Sequence, residues 1–418
     1  MSEALPLALG GTFLGAYTYY PGGALATATT NGVKGSFSFD EFGNLVANTE
    51  DGAGTTVFAY DAANRLTSAT LTPEEEGAAA TLTYYGWDSA NAWRTCQGPN
   101  PSPAPATEPI DFSYSAQGRM ATYANSDTQA SAIYTYDASG QRTKKEVTVS
   151  GTTTTTSFAY DGLTLLSLSA TQGSTTWRID YLYDEEGTPW GGVYRSPASS
   201  TAPTYFSLVT SDRGDALELC DAAGAAFAAY RYDAWGLPQG AGTYATGIWT
   251  QGTTLVTSTL AGQIASRQVL RYASYAFDSE SGLYYCSARY YDPATRQWTT
   301  GDPAKADGEE SAYQYCGGDP VGSVDPSGED TRITFHFPSP GNATALFKRV
   351  LRIDAGWARA ASLRGVYKAC SSRGKWDFKL LFSKSEREER KWSFRTPVRP
   401  DTYWKTWRES LAKGYLKY

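Results

Sequence analysis

The sequence predicts a mainly β protein: hairpins joined edge to edge in one continuous sheet, followed by a small α+β domain. Three observations carry this reading. A unit of aromatic, any residue, aromatic, Asp recurs at least seven times before residue 280. The composition, with 30 Tyr and 41 Gly in 418 residues and only 19% charged residues, favours strands and turns over helices. Charge is also unevenly placed. Residues 1–330 hold 16 Lys and Arg against 36 Asp and Glu, whereas residues 331–418 hold 20 against 7, so an acidic body carries a basic tail.

Taken in order, residues 1–34 read as a lead-in, continuing from a longer chain. The opening MSEALPLALGGTFLGAYTYY lacks the basic start of a signal peptide and carries Glu3 instead. No stretch in the chain is long and apolar enough for a transmembrane helix. Residues 35–265 hold the repeats: Phe37-x-Phe39-Asp40, Phe58-x-Tyr60-Asp61, Tyr134-x-Tyr136-Asp137, Phe158-x-Tyr160-Asp161, Tyr181-x-Tyr183-Asp184 and Tyr230-x-Tyr232-Asp233. Tyr275-x-Phe277-Asp278 follows them, and Phe112-x-Tyr114-Ser115 is a degenerate copy. Alternating aromatics put two rings on one face of a strand. The Asp then ends the strand by bonding its own downstream backbone. A Gly three residues on, as at Gly43, Gly118, Gly140, Gly187 and Gly236, supplies the positive φ of the turn. A second strand follows, as in NLVANT, RLTSATLT and RTKKEVTV. One such hairpin cannot bury its rings alone, so many must join. GPNPSPAPATEP (Gly98–Pro109) reads as a loop, and Thr152–Thr156 and Ser196–Thr204 as hairpin tips. Five scattered cysteines, Cys96, Cys220, Cys286, Cys316 and Cys370, have neither metal-ligand spacing nor the density of a disulfide scaffold.

The pattern resembles the Rhs/YD-repeat family, which includes the Tc-toxin C subunits and the teneurin shell. Leu270–Pro303, LRYASYAFDSESGLYYCSARYYDPATRQWTTGDP, is similar to the Rhs-associated core, and SAYQYCGGDPVGSVDPSG (Ser311–Gly328) to its terminal part. The resemblance implies that the repeats form a curved or shell-forming sheet around a cargo. It also implies that residues 266–330 form a core plug and that 331–418 are a variable toxin-like domain. It implies self-cleavage after the core in some members, with aspartates as an internal aspartyl protease. Asp302 and Asp325 match those aspartates, and the cut would fall between Gly328 and Glu329. Glu329 stands where the cleaving relatives usually carry an apolar residue. Secretion or cell-surface display, a role in interbacterial competition, and a cognate immunity protein are likewise implied, the last acidic to match a basic tail. The remainder of an Rhs shell is a further implied partner.

In the tail, TRITFHFPSP reads as a strand with a turn. Ala343–Ala369 has helical periodicity, with Leu346, Val350, Ile353 and Trp357 on one stripe and Asn342 as N-cap. WDFKLLF and WSFR read as strands, and a last helix is capped by Asp401. His336 is the sole histidine of the chain, which excludes a metal site built on several histidines; no cofactor is expected. His336 and Asp377 are the candidate acid–base residues for nucleic-acid cleavage, competing with a purely structural role in strand pairing. Lys375, Lys379, Arg395 and Arg399, interleaved with Trp376, Trp392, Trp404 and Trp407, suit phosphate contacts beside stacking on bases, or an ordinary core. Glu386 and Glu388 have the E-x-E spacing of ADP-ribosyltransferases without Arg and Ser-Thr-Ser partners; a solvated charge run is the better reading of them. The alternatives to a nuclease tail are therefore an ADP-ribosyltransferase-type toxin tail and a non-enzymatic surface protein whose aromatic-rich sheet binds carbohydrate or another shell. One Cys and one His in the tail are too few for a deaminase zinc site.

Overall fold

The computed structural model describes residues 2–6, 12–30, 32–185, 187–196, 203–239, 260–302, 311–329, 332–337, 363–368, 376–382 and 393–395. The chain divides into two compact units, Met1–Val321 with Asp325–Glu329, and Gly322–Val324 with Asp330–Tyr418.

In the first unit twenty strands, from β1 (Ser2–Pro6) to β20 (Ala226–Ala229), form one antiparallel sheet. Each strand pairs with the next in sequence. The repeat explains this order. Between β4 (Val33–Phe39) and β5 (Leu45–Glu50), the Asp40 carboxylate accepts the Phe42 and Asn44 backbone N–H groups at 3.0 and 2.8 Å. Gly43 closes the turn at φ 77°. Asp61, Asp137, Asp221 and Asp233 make the same pair of bonds, and Ser115 makes them with its hydroxyl. The chain therefore reverses after every strand and has no crossover to make.

The two rings of each repeat do different work. The first is buried, as at Phe37, Phe58, Tyr134, Phe158 and Tyr181. The second sits where the ladder register shifts by one residue, as at Phe39, Tyr60, Tyr136 and Tyr183. That bulge turns its hydroxyl back over the preceding hairpin. Tyr60 donates to Leu45 O at 2.7 Å, Tyr136 to Met120 O at 2.7 Å and Tyr183 to Leu165 O at 2.6 Å. Trp87 Nε1 does the same to Leu66 O. These hydroxyls thus find backbone carbonyls.

The buried rings face a core module built from helix α1 (Leu260–Arg267) and a four-stranded sheet. Its strands are β21 (Ala276–Asp278), β22 (Leu283–Cys286), β23 (Arg289–Asp292) and β24 (Gln297–Trp298). It bonds to the large sheet at widely spaced points: Gln297 to Tyr60, Arg94 to Asp292, Arg142 to Asp278, and Val269 N to Tyr181 Oη. The sheet therefore curves around the core. This answers why the stretch SGLYYCSARYYDPATRQW carries so many rings: Tyr284, Tyr285, Tyr290, Tyr291 and Trp298 are all buried within it.

Arg142 is fully buried there, its guanidinium over the Tyr285 ring at 4.3 Å and paired with Asp278. Lys145 completes the cluster, reaching Asp278 and Glu280 at 2.9 Å each. Burial alone would raise the Asp278 carboxyl, but Arg142 and then Lys145 outweigh it and hold it below its ordinary value. Cys96, Cys220, Cys286 and Cys316 are buried free thiols.

The second unit contains a five-stranded sheet in the order β25 (Ser323–Val324), β26 (Arg332–Phe337), β28 (Trp376–Phe382), β27 (Leu363–Lys368), β29 (Ser393–Arg395). The last pair is parallel and the others antiparallel.

Several local expectations change. Thr152–Thr156 is not a hairpin tip but the start of β14 (Thr152–Asp161); the turn lies just before it, where Ser150 and Gly151 have positive φ. The five β-branched threonines suit a strand, and Thr153 pairs its hydroxyl with Thr148 at 2.8 Å. Helix α1 was not foreseen. Leu363–Lys368, the end of the expected helix 343–369, is a strand because its residues pair on both sides; Ala343 to residue 362 lie outside the described residues. So does the helix expected after Asp401. Residues 2–30, read as a lead-in, supply β1, β2 (Thr12–Tyr19) and β3 (Leu25–Thr30) to the same sheet.

Candidate self-cleavage site

The core sheet ends its second hairpin at Arg289, the first residue of β23. Its side chain is buried against the Trp298 ring, 4.3 Å from the centroid. From there one nitrogen, Nη2, reaches Asp302 Oδ2 at 3.5 Å and Asp325 Oδ2 at 3.6 Å. Nη1 donates to Ala312 O at 3.3 Å, and Nε donates to the carbonyl oxygen of Gly328. One guanidinium thus gathers the two expected aspartates and the carbonyl of the expected scissile bond.

Asp325-Pro326-Ser327-Gly328 forms a turn closed by Gly328 N–H to Asp325 O at 3.3 Å. Gly328 takes φ 69°, and a Cβ there would lie 2.5 Å from Cys286 O and 2.9 Å from Arg289 N. Only glycine fits this approach. The Asp325 backbone N–H donates to Tyr275 Oη at 2.5 Å, and Tyr275 shares a 3.0 Å bond with Tyr315. Ser327 Oγ donates to Asp325 Oδ1 at 3.0 Å and accepts the Glu329 N–H at 3.1 Å.

Burial raises the Asp325 carboxyl above its ordinary value, and the Asp302 charge adds to this; Arg289 and Ser327 pull it back without restoring it. Burial also lowers Arg289 against the opposing pull of both aspartates. The neighbouring Cys286 and Cys316 thiols are pushed well up, first by burial and then by Asp325. They are poor nucleophiles in that state. A carboxyl that keeps its proton beside a second carboxylate can divide acid and base work.

Sequence reasoning named Asp302, Asp325, Gly328 and Glu329 but missed Arg289 and Ser327. A signal for Arg289 was present: it is the one charge inside LYYCSARYY, and a charge among buried rings needs a partner.

In the second unit, His336 on β26 and Asp377 on β28 are direct register partners. Lys379 stands opposite Thr334, and Arg395 beside Lys368. Lys375 and Arg399 lie outside the described residues. No group of three metal-ligating side chains is found among the described residues.

No family model matches the chain. It is 28% identical over 300 residues, 70% of its length, to the tRNA3(Ser)-specific nuclease WapA of Bacillus spizizenii and equally to the tRNA nuclease WapA of Bacillus subtilis. It is 25% identical over 343 residues to the double-stranded DNA deaminase toxin A of Burkholderia cenocepacia. The chain spans 11% of the length of the two nucleases. Among solved structures, the TcdB2-TccC3 complex aligns with 78% of the chain at a TM-score of 0.42 and 16% identity, over 20% of its own chain. A meander of Asp-turn hairpins curved around an aromatic core defines a repeat-built β protein. The repeats and core resemble those of Rhs/YD-repeat polymorphic toxins, and the nuclease and toxin relatives fit that resemblance.

Proposed function

We propose that the core module cuts its own chain between Gly328 and Glu329 and so frees a basic C-terminal domain that acts on nucleic acid. The observation that carries the first half is the single guanidinium of Arg289, in reach of Asp302, Asp325 and the Gly328 carbonyl oxygen together. Asp302 takes a proton from water as the water oxygen bonds to the Gly328 carbonyl carbon. Arg289 Nε holds the negative charge that develops on the carbonyl oxygen. The C–N bond then breaks, its electron pair goes to the Glu329 nitrogen, and that nitrogen is protonated by the acid pool that Asp325 supplies. The products are a Gly328 carboxyl and a free Glu329 amine.

Three features support the second half: the charge of residues 331–418, the His336–Asp377 register, and nuclease or deaminase in the names of the relatives. In this reading His336 and Asp377 act as an acid–base pair and Lys375, Lys379, Arg395 and Arg399 hold phosphates. An acidic immunity protein shields the domain, and the remaining shell of a longer Rhs protein encloses it. The protein works outside its producing cell, secreted or at the surface, in competition between bacteria.

Mass spectrometry of the purified chain tests the cut: a fragment starting at Glu329 is expected, and Asp325→Asn should leave the chain whole. An intact wild-type chain defeats the proposal. Induced expression of residues 331–418, with growth and total RNA and DNA followed, tests the effector. Arrest with degraded nucleic acid, relieved by His336→Ala or Asp377→Ala, is expected; arrest with intact nucleic acid, or none, refutes the nuclease reading.

A further inference from the structure

Ser327 sits between the acid and the leaving nitrogen. Its Oγ lies 3.0 Å from Asp325 Oδ1 and 3.1 Å from the Glu329 backbone nitrogen, with one bond donated and the other accepted. Both neighbours are reacting groups in the self-cleavage reading, on which this inference rests. No direct bond from Asp325 to the Glu329 nitrogen is needed if the hydroxyl stands between them.

We propose that the Ser327 hydroxyl is the proton relay of the cut, passing the proton of Asp325 to the Glu329 nitrogen. In the ground state the amide nitrogen has no basic lone pair, so its N–H donates and the Ser327 oxygen accepts. Addition of water makes the Gly328 carbon tetrahedral and gives the nitrogen a lone pair. The bonds then reverse direction. Asp325 gives its proton to Ser327 Oγ, and Ser327 gives its own proton to the nitrogen as the C–N bond breaks. The hydroxyl is regenerated, Asp325 ends ionised, and the proton taken from water rests on Asp302. Atoms and charge balance with water as the one added reactant.

The arrangement depends on the local chain. Asp325 and Glu329 are four residues apart, and the turn closed by Gly328 N–H brings the Ser327 side chain between them. The amide that follows Gly328 donates to that hydroxyl at 3.1 Å. A hydroxyl both donates and accepts on one atom, which a relay requires.

The test is a pulse-chase of the full chain in cell-free translation, following appearance of the fragment that starts at Glu329. Ser327→Ala should slow cleavage by about 10²-fold, within the range of general acid catalysis. Ser327→Thr keeps the hydroxyl and should stay within about tenfold of wild type. Ser327→Asn separates a cap from a relay: its amide can accept the Glu329 N–H and donate to Asp325, but on different atoms, so it should stay as slow as the Ala variant. Wild-type speed in Ser327→Ala, or restored speed in Ser327→Asn, overturns the relay while leaving self-cleavage standing. A wild-type chain that never cuts defeats the cleavage reading instead. Thermal unfolding of each variant shows whether the core still folds; if Ser327→Ala does not fold, the comparison of Thr with Asn decides.

Discussion

At the scale of the residue, the site turns on which groups keep their protons. The Asp325 carboxyl is raised, chiefly by burial, so its protonated form persists to higher pH than an ordinary aspartic acid. As the proposed acid of the cut it would work below that raised value. The cleavage rate should therefore fall as pH rises through it, and a pH–rate profile of the pulse-chase checks this; a rate that climbs steadily with pH contradicts the assignment. Gly328→Ala should abolish cleavage, because the new methyl meets Cys286 O and Arg289 N at distances that force the scissile carbonyl off the guanidinium. Retention of a wild-type rate by that variant would show that the Arg289–carbonyl contact is dispensable. Asp302 and Asp325 were nominated by the family resemblance; Asp-Pro alone does not mark them, since Asp292 and Asp319 carry it too. Arg289 and Ser327 were not legible in the sequence, because their role comes from neighbours about 39 and 2 residues away, a closeness only the folded turn creates.

At the scale of the element, the hairpin was almost wholly legible. Asp turns and ring alternation are local chemistry, so RTKKEVTV falls on β13 (Arg142–Val149) residue for residue. What escaped was the bulge beneath the second ring, which depends on the partner strand. Its hydroxyl contact has a measurable worth. Tyr60→Phe should lose about 1 kcal/mol in urea unfolding, since the Leu45 carbonyl loses its donor. The cluster at Arg142 weighs more. Arg142→Ala should cost about 3–5 kcal/mol by leaving the buried Asp278 with Lys145 as its one cationic partner. Its pH dependence has a definite sign. The Asp278 carboxyl is lower in the folded than in the unfolded state, so its contribution is present above roughly pH 4 and lost as pH falls through the lower folded value. Wild type should accordingly lose more stability on acidification than Arg142→Ala; equal losses would remove Asp278 from the account. The tail was less legible. Leu363–Lys368 has a helical pattern yet pairs as a strand, tertiary pairing overriding local period.

At the scale of the whole molecule, the split of charge predicts how the two units behave apart. Binding of residues 331–418 to RNA or DNA should weaken steeply with salt, with a log–log slope near the number of phosphates contacted. Titration at two salt concentrations measures it, and an affinity indifferent to salt rules out phosphate contact as the main attraction. The sequential meander has another consequence. Arg289, Asp302 and Asp325 come from three separate places in the core, and all must be seated before the guanidinium can gather both aspartates and the Gly328 carbonyl. A half-made chain has the cutting residues but not the cutter. In the proposed cut, the bond after Gly328 would be a clock that starts only when the core has finished folding, and a severed chain a certificate that it did.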